Sequence, residues 1–245
     1  MAARLTVDIG NSRTKLGVFN DKSLQHVEIL DKLTVTYLKK VMNNFSVSYV
    51  IVSTVQHLSR YMAKLVNESD HIFLLSPFMH LPFQVAYKTP ETLGLDRLAG
   101  AAGAWSLFPR QSSLIIDAGT CLKYDLVSEK GVYLGGNISP GLHMRLKSMH
   151  LLTDKLPQVE PYKRYQAMGV DTTSALQVGA GTGAIHEIEG FIQEYKKMFG
   201  KLNILLTGGD SHFFVSKLKT KIFEAPNLVL QGLNEILDYN VQKSY

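Results

Sequence analysis

The order of apolar and polar residues predicts strands and helices that alternate along the first part of the chain. Short apolar runs between turn residues indicate strands, and apolar residues three and four apart indicate helices. The predicted strands cover residues 4–10, 14–19, 26–30, 49–53 and 71–75. The predicted helices cover residues 34–44, 58–68 and 95–107. Strands interleaved with helices in this way indicate an α/β fold.

The same pattern starts again after a predicted connection at residues 109–113. Strands are predicted at residues 114–119, 122–127, 132–138 and 203–208. Helices are predicted at residues 140–149, 173–199, 210–219 and 227–240. Each half opens with a strand, an Asp-x-Gly turn and a second strand, at Asp8-Ile9-Gly10 and at Asp117-Ala118-Gly119. We therefore predict two duplicated domains, 1–112 and 113–245, with a ligand in the cleft between them, although so short a match also arises by chance.

Composition narrows the class of protein. The chain has 245 residues, of which 45% are hydrophobic and 19% charged, so it has the material for a packed core and is not a disordered chain. The net charge of +5 attracts anions such as nucleotides, but the basic residues are scattered, and we expect no nucleic-acid partner. No apolar run approaches the ~20 residues of a membrane span, and no signal-peptide pattern precedes the first strand. Because Cys121 is the only cysteine, we expect a reduced, cytoplasmic protein.

The first turn, residues 8–15, has the composition of a phosphate-binding loop. Gly10 and Asn11 tolerate positive φ, which lets backbone N–H groups point inward and hold phosphate oxygens. The side chains add two hydroxyl donors, a positive charge and a carboxylate that can hold Mg²⁺ through water: Ser12, Thr14, Lys15 and Asp8. An ordinary hairpin has the same composition, and the loop lacks the glycine-rich span of a Walker A motif.

Two later turns share this chemistry. Asp117 to Thr120 repeats the Asp-x-Gly-polar order, and Thr207-Gly208-Gly209-Asp210 follows a buried-type strand. Paired glycines let the chain pass close to a flat ligand such as adenine. Asp210 is also a good N-cap for the helix that follows it, and this alternative stays open.

Two longer motifs make the pattern specific. They are Gly94-Leu95-Asp96-Arg97 and Gly135-Gly136-Asn137-Ile138-Ser139-Pro140-Gly141. Together with the three turns and the segment from Tyr87 to Leu93, they resemble the type III pantothenate kinases, or Bvg accessory factors. That family lies within the acetate and sugar kinase, heat-shock and actin superfamily. The resemblance implies two duplicated ribonuclease H-like α/β domains with mixed sheets and an active-site cleft between them. It also implies ATP-dependent phosphorylation of pantothenate, the first step of coenzyme A biosynthesis.

The resemblance makes Asp96 the catalytic base for the pantothenate hydroxyl. A carboxylate suits this role because it can accept the hydroxyl proton and orient the oxygen for in-line transfer. Arg97 is expected to hold the pantothenate carboxylate or to steady Asp96. The plainer alternative is that Asp96 is the N-cap of a helix at 97–107 and that Arg97 pairs with it.

The resemblance also implies the remaining site residues. Asp117 is expected to bind a monovalent cation, potassium or ammonium, and Mg²⁺ is expected with ATP. The implied ATP contacts are Asp8, Ile9, Gly10, Asn11, Ser12, Arg13, Thr14, Lys15, Thr120, Gly208 and Gly209. The implied pantothenate contacts are Tyr87, Gly94, Leu95, Asp96, Arg97 and Thr172. The family is dimeric, so we expect a homodimer, with apolar helix faces around 95–107 and 139–149 available for the interface.

Some residues depart from the family pattern, and two other functions stay open. Lys123 and Cys121 follow the second phosphate turn where smaller or hydroxyl residues are usual, and Lys123 either adds charge near the phosphates or points to solvent. Asp171 stands where asparagine is frequent. The alternatives are a kinase for another small hydroxylated metabolite and a nucleotide-binding regulator without transfer activity. The GLDR motif and small size argue against the first, and the retained carboxylates argue against the second.

Overall fold

Contacts in a computed structural model, which describes residues 3–162 and 166–243, divide the chain into two units. The first unit contains the described residues up to Arg110, together with Gly131–Leu134 and the segment from Asn227 onward. The second unit contains Gln111–Lys130 and Gly135–Pro226. The division differs from the domain boundaries predicted from sequence, because the C-terminal segment joins the first unit instead of the second.

A mixed five-stranded sheet forms the centre of the first unit. Its strands are β1 (Ala3–Ile9), β2 (Thr14–Asn20), β3 (Ser23–Leu30), β4 (Val47–Thr54) and β5 (Ile72–Leu74), in the order β3-β2-β1-β4-β5. β2 is antiparallel to both β1 and β3, whereas β1, β4 and β5 run parallel. The central strands β1 and β4 contain continuous runs of buried residues, as expected for strands covered on both faces. The β1–β2 connection carries the first predicted phosphate turn.

The described part of the first unit also contains four α-helices and a short 3₁₀ helix at Pro90–Thr92. The α-helices are α1 (Val35–Asn44), α2 (Arg60–Asn67), α3 (Leu95–Leu107) and α7 (Leu228–Lys243). Hydroxyl side chains start the first two, since Thr34 caps α1 through the N–H of Tyr37 and Ser59 caps α2 through the N–H of Met62. A two-residue strand, β6 (Gln84–Val85), lies between β5 and α3 and pairs with Val132 and Tyr133. Sequence patterning did not predict β6, because two residues carry no periodicity.

α7 packs on α3 at unusually close range. A side chain at Gly232 would place its Cβ 1.7 Å from the carbonyl oxygen of Ala99, and a Cβ at Gly103 would lie 2.5 Å from that of Leu228. Glycine at both positions therefore lets the two helix backbones touch. Arg4 of β1 also holds α7, through an ion pair of 2.6 Å with Asp238. These contacts explain why the C-terminal helix belongs to the first unit.

The second unit repeats the strand arrangement of the first. Its strands are β7 (Ser113–Ala118), β8 (Cys121–Val127), most of β9 (Val132–Pro140), β10 (Asn203–Thr207) and β11 (Phe223–Glu224). With β6 at its edge, the sheet has six strands in the order β6-β9-β8-β7-β10-β11. As in the first unit, the leading strand is antiparallel to the next and parallel to the two that follow the helices. The predicted duplication into two mixed α/β units is thus confirmed, and only the short β11 was missed from the sequence.

Three helices cover this sheet: α4 (Leu142–Leu151), α5 (Thr172–Phe199) and α6 (Ser211–Val215). The apolar side of α5, with Ile185, Ile188 and Ile192, packs in one core with alternate residues of β7 and β8. α6 has five residues, so the helix predicted at 210–219 is wrong in length. Within the described ranges, no helix is long and apolar enough to cross a membrane.

Candidate active site

The first predicted phosphate turn is a rigid loop between β1 and β2. The N–H of Gly10 donates to the carbonyl of Arg13 at 3.0 Å and closes the turn. The side-chain amide of Gln56 donates to the carbonyls of Gly10, at 2.7 Å, and Asn11, at 3.1 Å. These bonds turn the two carbonyls toward Gln56 and fix the backbone of the loop. The strand register places Asp8 directly opposite Lys15.

A cavity of about 310 Å³ lies against this turn, and it is large enough for a chain of phosphate groups. Six predicted ATP contacts line it: Ile9, Gly10, Asn11, Ser12, Arg13 and Thr14. The lining also includes Lys32 and His57, which add basic groups that sequence reasoning did not single out. The peptide groups, hydroxyls and bases of this lining can bind an anionic ligand, while its carboxylate, Asp31, would repel one.

The predicted catalytic carboxylate lies in the first turn of α3. Gly94 occupies the N-cap position and the helix begins at Leu95, so Asp96 is not the N-cap of this helix. Its Oδ1 accepts a hydrogen bond of 2.9 Å from the N–H of Arg97. Asp96 is therefore a half-buried carboxyl group at the start of this helix.

Arg97 and Tyr87, two of the predicted pantothenate contacts, lie together in the first unit. Arg97 is only 6% exposed, and its guanidinium carbon lies 5.8 Å from the centre of the Tyr87 ring. The Tyr87 ring in turn lies 6.2 Å from the ring of Tyr133, a residue that the sequence analysis did not select. A guanidinium within cation–π distance of an aromatic ring keeps N–H groups that can bind a carboxylate.

The second phosphate turn, between β7 and β8, contains an ion pair. Asp117 and Lys123 face each other in the strand register, and the Lys123 ammonium lies 2.6 Å from Oδ2 of Asp117. The alternative in which Lys123 points to solvent is therefore wrong. The carboxylate that is expected to bind potassium or ammonium already carries the lysine ammonium on one oxygen, so a metal ion at Asp117 would lie close to a like charge.

The third turn passes close to Asp117. Gly208 has φ of +96°, and a Cβ there would lie 2.2 Å from the carbonyl of Ala118 and 2.5 Å from Oδ1 of Asp117. Only glycine combines this φ with so close an approach. The N–H of Asp210 then donates to the carbonyl of Ala118 at 2.8 Å, which ties the turn to β7. Gly209 is exposed.

Asp210 occupies the N-cap position of α6, as the capping alternative expected, but its side chain makes no capping hydrogen bond. Burial raises the pKa of Asp210, and the charge of Asp117 adds to that rise, while His143 and His212 oppose it. Its Oδ1 lies 3.9 Å from Nε2 of His143. Asp210 is thus a half-buried carboxyl beside the other polar groups of this turn.

Thr120 and Thr172, the remaining predicted contacts, are exposed in the second unit. The carbonyl of Thr120 accepts a hydrogen bond of 3.1 Å from Gly141, the last residue of the GGNISPG motif. Thr172 begins α5, and Asp171 caps that helix by accepting from the N–H of Ser174 at 2.8 Å. The bonds from Ser174 hold the pKa of Asp171 below its ordinary value. Asp171 is therefore the N-cap of α5, a role that asparagine could also fill.

Sequence reasoning missed a hydrogen-bonded network around Glu187. This carboxylate of α5 accepts bonds from the hydroxyls of Tyr124, at 2.8 Å, and Ser139, and it pairs with Arg145 of α4. Burial alone would raise the pKa of Glu187, but these three donors outweigh burial and hold the pKa below its ordinary value. The network fixes the GGNISPG segment through Ser139. Across the described part of the chain, no group of three or more His, Cys, Asp or Glu residues could hold a metal ion.

The chain is similar to a family of known proteins over most of its length. Residues 4–194 match the model of the family described as type III pantothenate kinase. A type III pantothenate kinase from Bacteroides fragilis is 41% identical over 237 residues, which cover 96% of this chain and 98% of the relative.

Solved structures show a similar fold at lower sequence identity. A Campylobacter jejuni protein described as a Baf family transcriptional activator has a TM-score of 0.61 at 21% identity, with 97% of this chain and 99% of that one covered. The activator of 2-hydroxyisocaproyl-CoA dehydratase from Clostridium difficile, solved with bound ADPNP, has a TM-score of 0.55 at 14% identity, with 99% and 95% covered. At these identities the two structures support the fold alone.

Proposed function

The chain belongs to the type III pantothenate kinase family, and from this premise we propose how its residues carry out the reaction. The protein is an enzyme that transfers the γ-phosphoryl group of ATP to the hydroxyl of pantothenate in coenzyme A biosynthesis. The products are 4′-phosphopantothenate and ADP. Mg²⁺ enters with ATP as part of the nucleotide substrate.

The first-turn residues Asp8 to Lys15 hold the ATP phosphates. Support comes from the closed loop geometry and from the cavity that six of these residues line. Lys15 adds a positive charge, and Asp8 binds Mg²⁺ through water. In the second unit, Thr120 contributes a hydroxyl, while Gly208 and Gly209 leave room for the nucleotide.

Asp96 accepts the proton of the pantothenate hydroxyl as the oxygen attacks the γ-phosphorus. The O–P bond forms as the bond between the γ-phosphorus and the β,γ-bridging oxygen breaks, and ADP leaves with that oxygen. The observation that carries this assignment is the position of Asp96 in the first turn of α3, directly before the buried Arg97. Arg97 holds the pantothenate carboxylate with two N–H groups, while Tyr87 and Thr172 contact the rest of the substrate.

An assay of ADP release with pantothenate and with a panel of sugars and short hydroxy acids tests this function. We expect one ADP for each 4′-phosphopantothenate formed, and only background release with the other acceptors. ADP release that depends on a sugar would identify another kinase of the superfamily. A protein that binds nucleotide but releases no ADP in the presence of any of these acceptors would be a regulator.

We also propose that the protein is a homodimer in the cytoplasm. The face of α3 that the sequence analysis offered for the interface is covered by α7, so the interface requires another surface. β9 and α4 expose Ile138, Leu151 and Leu152, which are 59%, 65% and 82% exposed. A second copy of the chain that covered these side chains would remove them from water, and the single cysteine fits a reducing compartment.

Light scattering at the assay concentration tests the dimer, with an expected mass of twice the chain's 27.3 kDa. A fully active particle of the single-chain mass would contradict it.

A further inference from the structure

The antiparallel pairing of β7 and β8 places a lysine on the carboxylate of the second phosphate turn. Asp117 and Lys123 occupy opposite positions in the register, so their side chains emerge on the same face of the sheet as close neighbours. Both side chains are largely enclosed, with 19% and 17% of their surfaces exposed. The 2.6 Å ion pair is therefore built into the hairpin rather than formed by a mobile surface lysine.

One oxygen of Asp117, Oδ2, binds the Lys123 ammonium. The other, Oδ1, lies close to the backbone of Gly208, where a Cβ would come within 2.5 Å of it. A metal cation on Asp117 would have to displace the ammonium or sit beside it against like-charge repulsion. The ammonium has the charge of K⁺ and the chemistry of NH₄⁺, and the strand holds it in place.

The first unit uses the same register position for the same pair of residues. Asp8 and Lys15 face each other across β1 and β2, as Asp117 and Lys123 do across β7 and β8. In each unit the pair lies beside the turn that is assigned to ATP. The duplicated fold therefore offers a place for a lysine next to both nucleotide-binding turns.

We propose that the Lys123 ammonium is a built-in monovalent cation for the second phosphate turn, so that phosphoryl transfer proceeds without added K⁺ or NH₄⁺. The proposal rests on the proposed function, since the charge is needed where ATP phosphates approach the turn. Lys123 neutralises Asp117, orders the turn and supplies positive potential toward the phosphates. The rate of the enzyme therefore does not depend on which monovalent cation is in solution, as it would if a metal ion occupied the site.

The test compares initial rates in choline, sodium, potassium and ammonium chloride at equal ionic strength, with substrates supplied as Tris salts. We expect the wild-type rates to agree within about twofold. Lys123→Ala should lose at least tenfold in choline, because Asp117 is left without its counter-charge, and potassium or ammonium should restore much of the rate. Lys130→Met, which changes an exposed lysine after the same strand, serves as the control and should behave as the wild type.

Melting temperature gives a second readout that does not require turnover. The wild type should melt at the same temperature in potassium as in choline, whereas Lys123→Ala should be stabilised by potassium and ammonium. A lysine with only a structural role would produce no such cation-specific rescue. If Lys123→Ala does not fold, the wild-type comparison alone still decides the question.

Two results would overturn the proposal. One is a wild-type enzyme that needs potassium or ammonium for most of its rate, and the other is Lys123→Ala with undiminished activity in choline. If no buffer supports phosphorylation of pantothenate, the proposed function fails, while the melting comparison still reports whether Lys123 occupies a cation site.

Discussion

The substitution Asp96→Asn separates the chemistry of this residue from its structural role. Asparagine has the shape of aspartate, and its Oδ1 can still accept the hydrogen bond from the N–H of Arg97. What is lost is the negative charge in the first turn of α3 and the ability to take a proton. The fold should therefore survive while the reaction suffers.

The two effects differ in size. Loss of a favourable charge at a helix start costs about 0.3–1 kcal/mol of stability. Loss of a general base lowers the rate by about 10²–10⁴, which corresponds to roughly 3–5 kcal/mol of barrier height. Because the barrier term is several times larger, kcat should fall by at least about 100-fold in a protein whose melting temperature changes little. KM for pantothenate should change much less, since Arg97 still holds the carboxylate.

Steady-state ADP release measures kcat and KM, and thermal melting with and without ATP measures folding and nucleotide binding. Asp70→Asn, at an exposed position of the same unit, is the matched control and should leave both unchanged. A folded Asp96→Asn protein with nearly wild-type turnover would remove Asp96 from the role of base.

Two further substitutions probe the second unit. Gly208→Ala should reduce stability by at least about 1–3 kcal/mol and weaken ATP binding, because alanine is strained at φ +96° and its Cβ would meet the carbonyl of Ala118. Gly209→Ala, where a Cβ meets nothing within 4 Å, should be stable in the same denaturation experiment, and equal losses in both variants would contradict the reasoning. Glu187→Gln should lower the free energy of unfolding at pH 7 by about 1–3 kcal/mol, because the charge that accepts three hydrogen bonds is removed. The lowered pKa of Glu187 stabilises the fold above the ordinary carboxyl pKa, and this contribution disappears as pH falls through the lowered value. The difference in free energy of unfolding between wild type and Glu187→Gln should therefore become smaller in acid. Glu194→Gln, at an exposed position of the same helix, is the control. A difference that does not change with pH would refute the assignment.

Local patterns were sufficient to predict most of the elements. Continuous apolar runs gave the central strands, and spacings of three and four gave the helices, because those periodicities follow from backbone geometry. β6 and β11 have only two residues each, and their existence depends on a partner strand distant in sequence. The amphipathic pattern of α7 indicated which of its faces is buried but not which sheet that face covers.

The site was predicted less completely than the fold. The turns could be recognised because their glycines and hydroxyls are adjacent in the chain. The pairing of Asp117 with Lys123 depends on the register of two strands, which the sequence analysis left open. Glu187 was overlooked because it is 48 residues from Ser139, and on a long helix an isolated glutamate resembles an ordinary solvent-facing charge.

The place of α7 in the first unit has a consequence for synthesis of the protein. A ribosome finishes β1 to α3 well over a hundred residues before it reaches Gly232, which at roughly 5–20 residues per second is a wait on the order of 10 s. During that time the surface of α3 around Ala99 and Gly103 lacks its cover, while every strand and helix of the second unit emerges before α7 does. We therefore expect the second unit of the nascent chain to be complete before the first. A chaperone that shields the small-residue face of α3 would act on the first unit.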